Sequence, residues 1–256
     1  MKKILRPFEK VSKSKSLTIQ LVWLLFILVI WSVYSLGDRH MFPTLSQVGE
    51  GFIGLWNEGL VTHLFSSIWL CLRAVVISIV VALFFAYSTT IPILKPIGKF
   101  ISSCRYLPLA GVAFYITIIL SSGRDVQIGV LVIFMTTYLI TSLISMLNDI
   151  EDREFDHARA LGCSRWEILW EVVIKGRFDH VVEIIRQNLA IVWMMLVTVE
   201  SIMVASGGLG FLIKNSDKLG NHGRIVALQI VILLVGVGMD TLITKFRKIT
   251  FRYSKI

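Results

Sequence analysis

The sequence predicts an all-α polytopic membrane protein with six transmembrane helices. The chain of 256 residues is 55% hydrophobic and only 17% charged, and its mean hydropathy is +0.75. Its apolar residues come in blocks of about 20, which is the length at which a helix crosses the hydrocarbon core of a bilayer. Lys and Arg flank these blocks, as the positive-inside rule describes for membrane spans.

The predicted spans form a single transmembrane domain over residues 1–256. They lie at about 17–36, 64–88, 101–121, 126–147, 185–205 and 225–244. The first block follows a basic segment, as in a signal peptide, but it is too long and no A-x-A-like cleavage site follows it. Pro108 interrupts the third span. Most bases lie at the two termini, in the 89–100 link and in the 148–184 loop, which places all four segments in the cytoplasm.

Several function classes are disfavoured by what the sequence lacks. The net charge of +9 would suggest nucleic acid in a soluble protein, but here the bases border apolar blocks and favour contact with membrane lipid. The three cysteines show no zinc or disulfide spacing. The scattered histidines offer no nucleophile–base pair, so a polytopic membrane enzyme is the weaker alternative. No G-x-x-x-x-G-K-[ST] loop is present, so ATP must bind a separate chain, and we expect no catalytic residue, metal or cofactor here.

The 148–184 loop is much longer than a connection between two spans requires. Its mixture of charged and apolar residues predicts a short amphipathic helix, a turn at Gly162 and a second helix. A cytoplasmic helix of this kind can fit a groove in a partner protein. The alternative is a helix lying on the lipid surface, which the acids Glu151 and Asp152 disfavour because anionic lipid would repel them.

This loop resembles the cytoplasmic signature of ABC importer permeases, which reads Glu-Ala-Ala, three residues, Gly, nine residues, Ile-x-Leu-Pro. Asp156-His157-Ala158 takes the first place, Gly162 follows at the expected interval, and Val172-Val173-Ile174-Lys175 takes the last place. His157 and Lys175 depart from the pattern. Further stretches resemble the sulfonate, taurine and nitrate branch over about residues 42–245: Phe42 to Val48, Ser67 to Arg73, Arg105 to Pro108, and Glu200 with Ala205 to Gly210.

The resemblance implies a transport subunit of the bacterial cytoplasmic (inner) membrane, with both termini in the cytoplasm. Two permease subunits, expected to be a homodimer, would form the pathway for a small anionic solute such as a sulfonate, taurine or nitrate. An extracytoplasmic solute-binding protein would deliver the solute. A cytoplasmic ABC ATPase dimer, carrying ATP and Mg, would grip the coupling residues Asp156, His157, Ala158, Leu161, Gly162, Val172 and Ile174. Alternatively, Ala158-Arg159-Ala160 is similar to the Ala-Arg-Gly signature of vitamin-type (ECF) importers, although the Gly is missing.

Two charged residues fall inside predicted spans, in the outer half of the bilayer. Buried ions in membranes usually pair or line a watery path, so Arg73 and Glu200 are candidates for a pathway or gate. They could form a structural salt bridge, or Arg73 could bind an anionic solute. The glycines Gly207, Gly208 and Gly210 could form either a simple turn or an outer gating loop.

Overall fold

The computed structural model describes residues 12–35, 42–203 and 207–251. The described residues are almost entirely helical. Their α-helices are α1 Lys13–Ser35, α2 Leu45–Asn57, α3 Leu60–Ser88, α4 Lys95–Ser103, α5 Leu109–Ile119, α6 Gly123–Asn148, α7 Asp152–Ala160, α8 Arg165–Ile168, α9 Phe178–Ile202, α10 Leu209–Lys218 and α11 His222–Thr250. The N-terminal bases before residue 12, the predicted ends of the first and fifth spans, and the tail bases Arg252 and Lys255 lie outside the described residues.

Five helices in this part of the chain are long and apolar enough to cross a membrane: α1, α3, α6, α9 and α11. Helix α6 is the centre of the bundle, because it packs against α3, α4, α5 and α9 and has more of its span buried than the other four. Small residues of α3, among them Ala74, Ser78 and Ala82, are fully buried and let α3 approach α6 closely.

The third predicted span is not one straight helix. The chain forms α4, a 3₁₀ turn Cys104–Tyr106 and α5, with a bend of 108° between the two helical segments. Pro108 causes the break, since proline has no N–H to donate and disfavours a helical residue before it. Leu107 and Pro108 are accordingly extended, with ψ of 137° and 133°. Counted as one span, the bent pair brings the total to six.

The fifth span begins earlier than predicted, at Phe178 instead of 185. Its first turns contain charged residues that the sequence prediction assigned to the loop. Glu183 accepts hydrogen bonds from Arg186 on its own helix and from Arg247 on α11, which lets the helix continue through these charges. The loop between α6 and α9 is therefore residues 149–177.

Helix α1 stands apart from the bundle. Its apolar side chains are exposed along its length, and none of its span is buried against this chain. Trp31 Nε1 donates a hydrogen bond of 2.9 Å to the carbonyl oxygen of Pro43, which ties the end of α1 to the start of α2.

Candidate functional site

The loop 149–177 folds as a helical hairpin, here called the coupling hairpin. Its first helix, α7, is followed by Leu161 and by Gly162, whose φ of +81° is the left-handed conformation that favours glycine. The N–H of Cys163 donates to the carbonyl of Ala158 at 3.1 Å, and the N–H of Gly162 donates to that of Arg159 at 2.9 Å. This pair of bonds is the Schellman arrangement that terminates a helix. The predicted helix, Gly162 turn and second helix are therefore observed.

The second helix of the hairpin begins with a reciprocal cap. The N–H of Glu167 donates to Ser164 Oγ at 3.4 Å, and the N–H of Ser164 donates to Glu167 Oε2 at 2.6 Å. The backbone N–H of Ser164, followed by its hydroxyl, lowers the pKa of the Glu167 carboxyl below its ordinary value. From this cap α8 runs on into a π-helix, Leu169–Lys175. Seven further residues after α8 thus stay helical before Gly176.

Ion pairs fix the hairpin's shape. Arg159 and Asp156 pair within α7 at 2.8 Å, and Lys175 and Glu171 pair within the π-helix at 2.6 Å. Arg177, at the start of α9, pairs with Glu154 of α7 and so closes the base of the hairpin. The pairs are largely exposed, so they set register more than they add stability.

The predicted coupling residues differ in their exposure. Asp156, His157, Leu161 and Gly162 are exposed, and Val172 and Ile174 are half-buried. Ala158 is buried within the chain, whereas the resemblance placed it among the residues that the ATPase would grip. Ala158 instead allows α7 to pack closely against the rest of its own hairpin.

Three large apolar side chains of the hairpin are exposed. Leu161 is 73% exposed, Trp166 71% and Trp170 55%. Exposed Trp and Leu in an otherwise charged segment are typical of binding surfaces. Trp170 was missed from the sequence, although a tryptophan among acids and bases is the signal that would have found it.

At the other end of the bundle, Glu200 is enclosed by a polar junction. The Glu200 carboxylate is 1% exposed and lies 2.7 and 2.9 Å from Ser67 Oγ of α3. It also accepts a hydrogen bond of 2.9 Å from the N–H of Gly210, in the first turn of α10. The N–H of Leu209 donates to Ser67 Oγ at 2.9 Å. A carboxylate at a helix N-terminus interacts favourably with the helix dipole.

The glycines before and within α10 are required by this junction. A Cβ on Gly208, whose φ is +115°, would lie 2.2 Å from Glu200 Oε1. A Cβ on Gly210 would lie 2.2 Å from the carbonyl oxygen of Val197. Gly207, with φ of +78°, precedes the N–H of Gly208, which donates to His63 Nδ1 at 3.1 Å. The glycines therefore serve a close helix junction between α3, α9 and α10.

Arg73 takes no part in that junction, so the predicted Arg73–Glu200 salt bridge is wrong. Arg73 is exposed on another face of α3, and its guanidinium lies 5.1 Å from the centre of the Trp69 ring. Glu200 instead accepts hydrogen bonds from the Ser67 hydroxyl and from the backbone N–H of Gly210. Ser67 and His63 were missed, since polar side chains on an apolar helix give no sign in sequence of the partner they meet.

With this geometry in place, the chain can be compared with known proteins. It is 23% identical over 246 residues to the taurine transport system permease protein TauC of Escherichia coli, spanning 90% of this chain and 88% of that protein. It is 26% identical over 113 residues, 43% of its length, to a protein of Methanocaldococcus jannaschii described as an ABC transporter permease. No family model matches the chain.

Solved structures share its fold. A chain of an amino acid ABC transporter crystallised with histidines superposes with a TM-score of 0.64, at 16% identity, covering 79% of this chain and 97% of that one. A chain of the inward-facing MetNI methionine ABC transporter gives a TM-score of 0.61 at 14% identity, covering 74% and 94%. This chain resembles the permeases of ABC importers. The resemblance predicted from the signature around Gly162 is thus confirmed.

Proposed function

We propose that this chain is the transmembrane subunit of an ABC importer, and that it moves a small anionic solute across the bacterial cytoplasmic membrane. The observation that carries the proposal is the coupling hairpin, an ordered helical projection with three exposed apolar side chains on a bundle that has the ABC transporter fold. A span-connecting loop with no partner would have no reason to expose Leu161, Trp166 and Trp170 together.

The partner proposed for the hairpin is a cytoplasmic ABC ATPase, which would bind ATP and Mg. The hairpin offers what a groove-binding helix needs, namely apolar anchors with charged neighbours that set register. Asp156 and Arg159 pair with one another on α7, next to the exposed Leu161. Closure of two ATPases on nucleotide would then pull on α6 and α9, because the hairpin is continuous with both helices.

The lysines near one end of the bundle support a cytoplasmic position for the hairpin. Lys95, Lys99, Lys245 and Lys248 lie near the hairpin end, where Phe178 and Phe251 also meet at 5.7 Å between ring centres. By the positive-inside rule, the hairpin and the C-terminal end of α11 would thus both be cytoplasmic. The Glu200 junction would face outward, towards an extracytoplasmic binding protein.

The solute class rests on the TauC resemblance, since taurine is a sulfonate. Arg73 and Glu200, named from the sequence as pathway candidates, differ in position: Arg73 is exposed on α3, whereas Glu200 is 1% exposed inside the junction with α10. A polar groove of about 540 Å³ between α6 and α9 is the better candidate for this subunit's side of the pathway; it is lined by Thr141, Ser142, Ser145, His180, Glu183 and Gln187, among others. In a homodimer, each subunit would contribute one such groove.

Copurification with the ATPase tests the proposal. The chain is co-expressed with its ABC ATPase and binding protein, purified by a tag on the permease, and assayed for ATP hydrolysis with and without taurine. Trp170→Ala should reduce the ATPase recovered per permease about tenfold or more, since buried interface tryptophans are common hot spots. Trp56→Ala is the matched control, since this tryptophan of α2 lies on the other end of the bundle and is 60% exposed, against 55% for Trp170. Equal ATPase recovery with both variants contradicts the proposal.

A further inference from the structure

A cavity of about 690 Å³ separates the coupling hairpin from the ends of the spans. One wall is the link between α3 and α4 together with α4 itself, a second is the end of α6, and the third is the hairpin. Its lining contains three cations, Lys95, Lys99 and Arg165, and a larger number of apolar and neutral residues. None of the lining residues is an aspartate or a glutamate.

The three cations lack counter-ions within the described part of the chain. Salt bridges there join Arg153, Arg159, Lys175 and Arg177 to neighbouring acids, but none reaches Lys95, Lys99 or Arg165. Lys95 and Lys99 are four residues apart on α4, so they share one face of the helix and repel each other. The first turn of α4 holds no acid that could offset this repulsion. An anion in the cavity would relieve it.

The cavity is also placed where a lipid can enter. Its apolar wall includes Ile144 of α6 and Ile168 of α8, close to where the spans end at Ser88 and Asn148. Helix α4 also has two exposed apolar side chains, Ile97 and Phe100, which do not line the cavity. A helix with a basic face and an apolar face lies in the membrane interface, with its bases toward phosphate groups.

We propose that this cavity binds the phosphate headgroup of an anionic phospholipid. Lys95 and Lys99 would hold the phosphate from α4, and Arg165 would hold it from the hairpin, so that the lipid joins the two elements. Basic pockets between transmembrane helices on the cytoplasmic side commonly bind such headgroups. The assignment to the cytoplasmic leaflet rests on the proposed function, but binding itself needs neither the ATPase nor the solute.

Native mass spectrometry of the purified chain tests this site. The chain is titrated with phosphatidylglycerol and, separately, with phosphatidylcholine, and the first bound lipid is quantified. We expect phosphatidylglycerol to bind more tightly, and the Lys95→Gln/Lys99→Gln variant to lose about tenfold or more of that affinity. The Lys245→Gln/Lys248→Gln variant removes the same charge from exposed positions of α11 and should keep it. All four lysines are exposed, so neither variant should affect folding.

Two results would overturn the proposal: equal affinities for the two lipids, or equal losses in the two variants. A third arm adds inorganic phosphate at millimolar concentration in the absence of lipid. If phosphate alone binds the wild-type chain as tightly as phosphatidylglycerol does, and binding is lost in the Lys95→Gln/Lys99→Gln variant, the site takes a soluble anion and the lipid assignment is wrong. Failure of ATPase copurification would leave these results unchanged, which keeps the two proposals separable.

Discussion

Ser67 Oγ of α3 lies 2.7 Å from Glu200 Oε1 of α9, deep inside the end of the bundle opposite the coupling hairpin. Because the same hydroxyl accepts the N–H of Leu209, the serine joins three helices through one oxygen. Glu200 thus belongs to a junction between helices, which the positions of charges along the sequence did not reveal.

Ser67→Ala should destabilise the folded chain by about 1–3 kcal/mol, since it removes a donor from a buried carboxylate and an acceptor from a buried N–H. The measurement is the free energy of unfolding in mixed detergent. Thr198→Ala, which removes an exposed hydroxyl from α9, is the control. Arg73→Ala should cost at most about 1 kcal/mol, as expected for an exposed cation–π contact. A larger loss for Arg73→Ala than for Ser67→Ala would restore the salt-bridge hypothesis.

Gly208→Ala should unfold the α10 junction. Its Cβ would meet the Glu200 carboxylate, and its φ of +115° is strained for any residue with a side chain. Gly220→Ala is matched to it, because Gly220 also has positive φ, of +65°, but has open space around it. We expect the control to cost about 1–2 kcal/mol and Gly208→Ala clearly more, as measured by the same unfolding assay. Equal costs would show that the carboxylate moves aside freely.

The turn of the coupling hairpin should tolerate Asn but not Val at position 162. Asn enters the left-handed region with little strain, whereas a β-branched residue there is an outlier. Gly162→Val should therefore misdirect α8, reduce ATPase copurification and abolish solute-stimulated hydrolysis, while Gly162→Asn retains both. The quantity compared is ATPase per permease after membrane insertion is verified. Wild-type transport by Gly162→Val would remove the hairpin from the coupling role.

Ala158 provides a second test of the same hairpin. Ala158→Trp forces a large side chain into a packed position and should cost about 1–3 kcal/mol locally, enough to displace α7. Ala160→Trp, two residues away on an exposed position, should assemble nearly as the wild type does. Limited proteolysis of the hairpin in detergent reports the displacement directly. If only Ala160→Trp blocks assembly, the ATPase would contact the opposite face of α7.

The ion network between α9 and α11 should depend more on Glu183 than on Asp240. The Glu183 side chain is 18% exposed and pairs with Arg186 and with Arg247, whose own side chain is 13% exposed. Asp240 is 48% exposed and, among the described residues, pairs only with Arg186. Glu183→Gln should cost about 3 kcal/mol, because it leaves the largely buried Arg247 without its carboxylate, and Asp240→Asn should cost about 1 kcal/mol or less. Chemical unfolding compares them, and the reverse order would contradict the pairing.

Accessibility labelling tests the orientation of the bundle. In a background with the native cysteines replaced, single cysteines at the exposed positions Glu50 and Asn215 should react with an impermeant maleimide added outside cells. Cysteines at Lys95 and Ala160 should react only in inverted vesicles. Reaction of Ala160→Cys from outside would reverse the topology and separate the hairpin from any cytoplasmic ATPase.

The sequence by itself determined the class of molecule and the order of its helices. Apolar blocks of membrane-crossing length fix the spans because an exposed backbone cannot remain unpaired in lipid. The hairpin was equally readable, since the Gly162 turn and the helix around Asp156 depend on neighbours in the chain. Local information also predicted the break at Pro108, since a proline in the interior of a helix removes a backbone hydrogen bond and clashes with the preceding turn.

The tertiary structure alone decided which face each polar residue occupies. Glu200 and Arg73 looked like partners because both are charges at similar depth, but depth says nothing about rotation around a helix axis. The helix packing brings Ser67 and the N-terminus of α10 to Glu200 and turns Arg73 away. The same packing buries Ala158 and leaves Trp170 exposed, because burial depends on contacts between segments distant in sequence.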